Sequence, residues 1–520
     1  MAGPKNGQPR DHRIGVPGAV SFVCGAIIGS GIFLSPSTVM KATSSMGLAL
    51  TIWGVSAIVS VMGAFCYVEL GTAIQKSGGD FAYMQHMGWK KISFSFGAML
   101  STILYPATTA IQSRTFAEYL VEGLRMRFEN ESQAYWYKIG ISFSLVLFLM
   151  CLNFFSIKTV VSRFQMVASC AKVSSTILVI LVGFYWLIFY QKTENLSEPF
   201  AGSKADPASI ASAFFAGLFA YDGWDVLNLG AEEIKNPRRT FPLAISLGMG
   251  LVAVIFVLVN LSYSIILTVP QIQGSDAVAM IFAREAMGPF QFIMPLMVSV
   301  VLIGSVNSNL FCGSRITHAI ARAGCLPPFL SVWNPTHGSP RAAIVFQVVL
   351  AFVIALSADI AQMLNYAGFT QWAQRVVTVS ILLYIRFKGL EVSDQRIRSP
   401  IIVPIVFFLC SSSLVLTSIL SQPDVAAVGL GLLIGAMTVY MIFVHESALP
   451  RFEWYKVLVN NANQCLNKFT EWILNGEVQQ SQILNTQEEE KKEESEEPLN
   501  PVNPTVEEDQ DTDITAEGKV

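Results

Sequence analysis

Apolar stretches of about 20 residues recur from Ile14 to Val444, with polar punctuation between them and little charge inside them. Each is long enough to cross a hydrocarbon core of roughly 30 Å as a helix, and lipid leaves an unpaired backbone no alternative partner. The chain is 14% charged and 52% hydrophobic, whereas soluble domains run near a quarter charged, and much of that charge is held back for the C-terminal tail. The spacing predicts an all-α polytopic membrane protein of about twelve helices. They are expected near 15–37, 47–74, 93–121, 139–157, 164–190, 209–231, 241–268, 290–318, 341–357, 361–386, 400–420 and 425–446.

Basic residues set the expected orientation. Arg10 and Arg13 precede the first helix, Lys90 and Lys91 the third, and Lys158 and Arg163 the fifth; Lys235, Arg238, Arg239, Arg322, Arg341, Arg386, Lys388, Arg396 and Arg398 fall in further even-numbered connections. The positive-inside rule makes these loops and both termini cytoplasmic. The sequons at Asn130 and Asn195 then fall in external loops and are candidate glycosylation sites, while Asn260 lies inside an apolar run. Residues 1–13 are polar and too unlike a signal peptide to be cleaved as one. Residues 447–485 are expected to be juxtamembrane, with an aromatic-bearing stretch suited to the interface. Residues 486–520 are Glu-rich, carry no aromatic residue and are expected to be a disordered acidic cytoplasmic tail.

The eight cysteines lie in or beside apolar stretches with no metal spacing, and the five histidines are scattered. No nucleophile–base pair, cofactor motif or nucleic-acid footprint emerges, so neither an enzyme nor a cofactor is expected. No ring of like residues or filter motif points to a channel.

Two helices break their own pattern. The first reads Ile27-Ile28-Gly29-Ser30-Gly31-Ile32-Phe33, and the sixth reads Phe219-Ala220-Tyr221-Asp222-Gly223-Trp224-Asp225. Glycine inside a helix is costly. Small residues can serve tight packing in lipid; unwound, the same segments would free N–H groups for a carboxylate and C=O groups for an ammonium. Their corresponding places in two halves, 14–190 and 209–386, favour the second reading and suggest a 5+5 inverted repeat followed by two more helices at 400–446.

At these residues the chain resembles the light subunits of heterodimeric amino-acid transporters in the amino acid–polyamine–organocation superfamily. The resemblance covers roughly Ile14 to Val444. It rests on Ile28-Gly29-Ser30-Gly31-Ile32-Phe33 with Ser35-Pro36, Cys66-Tyr67-Val68-Glu69-Leu70-Gly71, Ser77-Gly78-Gly79-Asp80-Phe81-Ala82-Tyr83, Phe219-Ala220-Tyr221-Asp222-Gly223-Trp224, Glu232-Glu233-Ile234-Lys235-Asn236-Pro237 and Gly304-Ser305-Val306-Asn307. It implies a LeuT-like fold and sodium-independent transport of L-amino acids, often by exchange. It also implies that Gly29, Ser30 and Gly31 hold the substrate carboxylate, with Ile27, Ala220, Asp222 and Gly223 beside them, and that Phe219 is an aromatic gate flanked by Trp224. Lys172, costly in lipid unless it is paired or reaches a cavity, matches the place where sodium-coupled relatives bind the cation, and is expected to replace it.

Asp222, Asp225, Arg375 and Arg114 are further intramembrane charges, each expensive unless paired or functional. Arg375 departs from the resembling pattern; it is expected either to contact a polar or anionic substrate side chain or, the favoured reading, to pair with Asp222 or Asp225. Glu69 and Arg315 match positions near cytoplasmic ends and are expected to be structural, Tyr105-Pro106 marks a kink, and Asp276 matches an acidic external position. The resembling subunits are tied to a glycoprotein through an external cysteine, but residues 122–138 contain none. A covalent heavy chain is therefore not expected, although a noncovalent partner is compatible with the sequence. The expected protein is a plasma-membrane carrier of large neutral or aromatic L-amino acids, in contact with lipid. Cationic amino acids, or an amino-acid-sensing receptor with little flux, are the alternatives.

Overall fold

The computed structural model describes residues 14–479 except 30, 156–159, 276, 357–359, 391, 394–395 and 446. The N-terminal stretch 1–13, Ser30, Lys158, Asp276 and the acidic tail 486–520 lie outside the described residues.

The apolar pattern folds almost wholly into helix. The first segment forms two helices, α1 (Val16–Ile27) and α2 (Gly31–Thr43), followed by α3 (Met46–Ala73) and the short α4 (Asp80–His86). Next, α5 (Lys90–Met99) passes through a π-turn at Leu100–Leu104 into α6 (Tyr105–Gly123). The wide turn sits just ahead of Pro106, which has no N–H to continue the ladder. Then come α7 (Glu131–Asn153), α8 (Ser162–Phe189), α9 (Pro207–Ala220), the single turn α10 (Val226–Leu229), α11 (Pro237–Ile266), α12 (Val269–Gln273) and α13 (Val278–Met287). The chain continues through α14 (Ile293–Arg322), β1 (Val332–Trp333), α15 (Arg341–Leu356), α16 (Ile360–Lys388), α17 (Ile402–Ser421), α18 (Pro423–Val439), α19 (Glu453–Leu474) and β2 (Glu477–Val478).

By length and composition, eight helical runs among the described residues can cross a membrane, against the twelve expected. The difference has physical causes. α1 and α9 stop at their breaks, α15 is short, and α16 carries Gln371, Gln374, Arg375 and Thr378 along its length. α7 begins eight residues before the expected 139, because Asn130 caps it: its Oδ1 accepts the Gln133 N–H at 2.7 Å.

α1 sits among α8, α11 and α14, while α2 lies along α9. The two breaks meet in the interior. A Cβ on Gly31 would stand 2.8 Å from the Ala220 Cα, and Gly223 takes a φ of +105° with the Ala26 backbone 3.1 Å from where its Cβ would be. Only glycine allows both the turn and the approach.

One end of the bundle is tied by ion pairs. Arg315 meets Glu233 at 3.2 Å and Arg322 meets Glu232 at 2.8 Å, and Glu232 also accepts the Ser77 N–H. Burial would raise the Glu232 carboxyl, but the Arg322 hydrogen bonds outweigh it and hold it below its ordinary value. That contribution is therefore present at neutral pH and fades on acidification. At the foot of α3, the fully buried Glu69 accepts from Arg386, from Arg396 at 2.7 Å and from the Ser399 N–H at 3.1 Å.

Glu69→Ala leaves two guanidinium groups facing an empty pocket. The expected cost is about 3–5 kcal/mol, the range for breaking a buried pair by removing one partner. A thermal unfolding midpoint in detergent unchanged from wild type would contradict this clamp.

Asn130 and Asn195 differ as glycan acceptors. The Asn130 cap uses its oxygen and spares its nitrogen, whereas the Asn195 Nδ2 donates to the Ile265 and Leu267 carbonyls, each at 3.2 Å. The expected result is that Asn130→Gln shifts electrophoretic mobility in glycosylating cells and Asn195→Gln does not.

Candidate functional site

The breaks enclose a cavity of about 170 Å³. From α1 and α2 it is lined by Ala26, Ile27, Gly29 and Gly31, and from the α9 break by Phe219, Ala220, Asp222, Gly223 and Asp225. Tyr105, Thr108, Ile111 and Gln112 of α6, Ser305, Ser308, Asn309 and Cys312 of α14, and Gly368 and Gln371 of α16 complete most of its wall. Phe219 is 52% exposed, a large value for an aromatic residue near the centre of a bundle; its ring is free of close packing.

The backbone supplies two complementary ends. α2 opens at Gly31, so its first N–H groups have no intrahelical acceptors, and the helix dipole places partial positive charge there. α1 closes at Ile27, leaving its last carbonyls without intrahelical donors.

Lys172 claims two of those carbonyls. Its Nζ donates to Gly25 O at 2.6 Å, Ile28 O at 2.7 Å and Ser305 Oγ at 2.8 Å, and the residue is completely buried. An ammonium has three donors and no acceptor, so this set satisfies it fully. The lysine reaches from α8 across to the break in α1 and so does not snorkel to an interface.

Arg375 is held on every side. Its guanidinium donates to Asp222 Oδ1, lies 4.0 Å from Asp225 Oδ2, and stands over the rings of Trp224 at 4.5 Å and Trp372 at 4.9 Å. Gln371 Nε2 donates to the other Asp222 oxygen at 2.9 Å. Only 3% of the Arg375 side chain is exposed, against 27% for Asp222. Behind them, Asp80 at the start of α4 accepts from Tyr67 Oη and, at 2.6 Å, from Thr378 Oγ1.

The structure thus brings Ile27, Gly29, Gly31, Phe219, Ala220, Asp222, Gly223 and Asp225 to one cavity, with Lys172, Trp224 and Arg375 packed behind its wall. Arg114 is not among the lining residues; its guanidinium lies over the Tyr135 ring at 5.7 Å. Sequence reasoning assigned no role to Gln112, Ser305, Asn309, Cys312 or Gln371. Gln371 and Arg375 are one helical turn apart on α16, a spacing that could have linked them.

The comparisons agree with one another. The amino acid permease family model matches residues 14–444. The chain belongs to the amino acid permease family. This permease is 45% identical to amino acid transporter protein 6 of Caenorhabditis elegans, over 90% of the chain and 89% of that relative. It is 30% identical to the human cystine/glutamate transporter (86% and 88%) and 31% identical to the mouse large neutral amino acids transporter small subunit 2 (84% and 82%).

Lys172→Ala should abolish uptake or reduce it at least about tenfold while surface expression persists, because the two carbonyls and Ser305 lose the cation that ties α8 to the α1 break; tenfold corresponds to about 1.4 kcal/mol. Normal flux at normal surface abundance would contradict that role.

Proposed function

We propose that this permease carries neutral L-amino acids, large or aromatic, across the plasma membrane by alternating access without sodium, as an exchanger or uniporter. The observation that carries the reading is the Lys172 ammonium, which fills three oxygens at the α1 break that a bound cation would otherwise need. The substrate carboxylate sits at Gly29, Ser30 and Gly31, against the N-terminus of α2. With the Gly25 and Ile28 carbonyls occupied by Lys172, those of Ala26 and Ile27 remain for the substrate ammonium, and both residues line the cavity. Phe219 closes over the bound solute, and Ala26, Ala220, Gly223 and Gly368 contribute little bulk to the wall.

The preference for a neutral side chain rests on the Arg375–Asp222 pair. Each charge neutralises the other, so neither offers a free partner to an acidic or basic substrate. Asp225 favours a second reading. It lines the cavity with its nearest guanidinium nitrogen 4.0 Å away, and would admit a cationic side chain. The mouse relative's name records a second subunit. A partner of this permease would be held noncovalently, since residues 122–138 lack a cysteine.

Uptake of labelled leucine or phenylalanine into proteoliposomes should be equal in sodium and potassium buffers. Unlabelled neutral amino acids should compete well, and glutamate and lysine poorly. A strict sodium requirement would overturn the coupling assignment. Strong competition by arginine, lost in Asp225→Asn, would replace the neutral reading with the cationic one. In Asp222→Asn the freed Arg375 should raise competition by glutamate at least about tenfold, which corresponds to about 1.4 kcal/mol.

A further inference from the structure

α19 has three sides, which a 3.6-residue turn keeps distinct along its length. Val459, Asn463, Thr470 and Leu474 turn inward, and the helix packs on the Pro328–Ser331 turn and α15. Glu453, Asn460, Gln464 and Glu471 form a polar side. The third side, between those two, is Trp454, Leu458, Cys465, Phe469 and Trp472. It is apolar and bare, with Trp472 82% exposed.

We propose that this third side is seated in the headgroup boundary of the bilayer, and that α19 is a lipid-anchored strap on the connection between α14 and α15. The occupant follows from position and chemistry. The last run long and apolar enough to cross a membrane, Pro423–Arg451, stops two residues before α19 begins at Glu453, so the helix starts at the membrane surface. Tyr455 Oη donates to the Phe443 carbonyl at 3.2 Å and holds it at that level. Tryptophans at both ends of the apolar side favour the interface, and a helix with one apolar and one polar side lies in the interfacial plane.

The strap is fastened at its far end. Arg341 Nη1 donates to the Leu474 carbonyl at 2.8 Å, the Asn334 amide donates to the Asn475 carbonyl, and β1 pairs antiparallel with β2 through Val332 and Val478. Arg341 Nη2 also donates to the Phe154 carbonyl at 3.2 Å, at the end of α7. Any movement of α14 or α15 relative to α7 must therefore either carry α19 along the lipid surface or break these bonds.

The test uses the full chain in nanodiscs and proteoliposomes. A fluorophore on Cys465, in a Cys151→Ser, Cys170→Ser background that removes the other exposed thiols, is read against lipids carrying a nitroxide near the headgroup. The expected result is a loss of at least about half the emission to the lipid quencher and little to aqueous iodide. Quenching by iodide alone, or disulfide cross-linking of Cys465 between two copies, would overturn the docking. That measurement does not depend on which solute is carried. For the strap, Trp472→Glu should lower vesicle uptake at least about threefold, while Asn460→Glu on the polar side leaves it unchanged. Lipid quenching of Cys465 with unchanged uptake in Trp472→Glu would overturn the coupling to α14 and α15.

Discussion

The interior of this permease depends on one buried cation. Lys172 brings an ammonium into a region where its desolvation is expensive, and it is tolerable only because three oxygens meet its three donors. Two of those oxygens are carbonyls that exist as free acceptors only because α1 stops at Ile27. The break and the lysine therefore require each other. An unbroken helix would leave the ammonium with Ser305 alone, and an apolar residue at 172 would leave the Gly25 and Ile28 carbonyls without their ammonium donor. The third oxygen, Ser305 Oγ, lines the cavity, so the same interaction joins α1, α8 and α14 at the cavity edge.

A second charge follows the same logic with the opposite outcome for binding. Arg375 lies among Asp222, Asp225, Trp224 and Trp372, where any one contact would be modest, but together they leave it almost no freedom. A guanidinium held this way is a poor ligand for a substrate carboxylate, since recruiting it would strand Asp222. Its proposed effect on selectivity is indirect. It occupies the negative charge of a residue that would otherwise stand at the cavity unpaired.

How much of this was legible in the sequence depended on whether the signal was periodic or spatial. Long apolar runs placed most of the helices to within a few residues because lipid permits little else, and Gly29, Gly31 and Gly223 marked the breaks because glycine in a helix needs a reason. Lys172 and Arg375 stood out as charges in apolar surroundings. The acids expected to pair with Arg375, Asp222 and Asp225, stood out with it, but the partners of Lys172 did not. Ser305 and Gly25 lie more than a hundred residues from Lys172 in the chain, and only the fold brings them to it. α7 was misplaced at its start because its first turns are polar and its cap is a single asparagine, and Gln112 and Asn309 read as ordinary helix residues until the fold turned them inward.

The closed end of the bundle completes the physical picture. Glu69, Glu232 and Glu233 are each paired with arginine, and the α1 entrance is bonded to the same segment through Ile14 N to Glu233 O at 2.8 Å and Lys235 N to Ile14 O at 2.9 Å. These contacts couple the start of α1 to the segment after α10, so the two broken helices are joined at their breaks and again at this end. Any separation here would have to break several charge-assisted bonds at once. Many bonds at one end of the cavity and a single loosely packed ring, Phe219, beside it are the two unequal barriers that the proposed alternating access calls for.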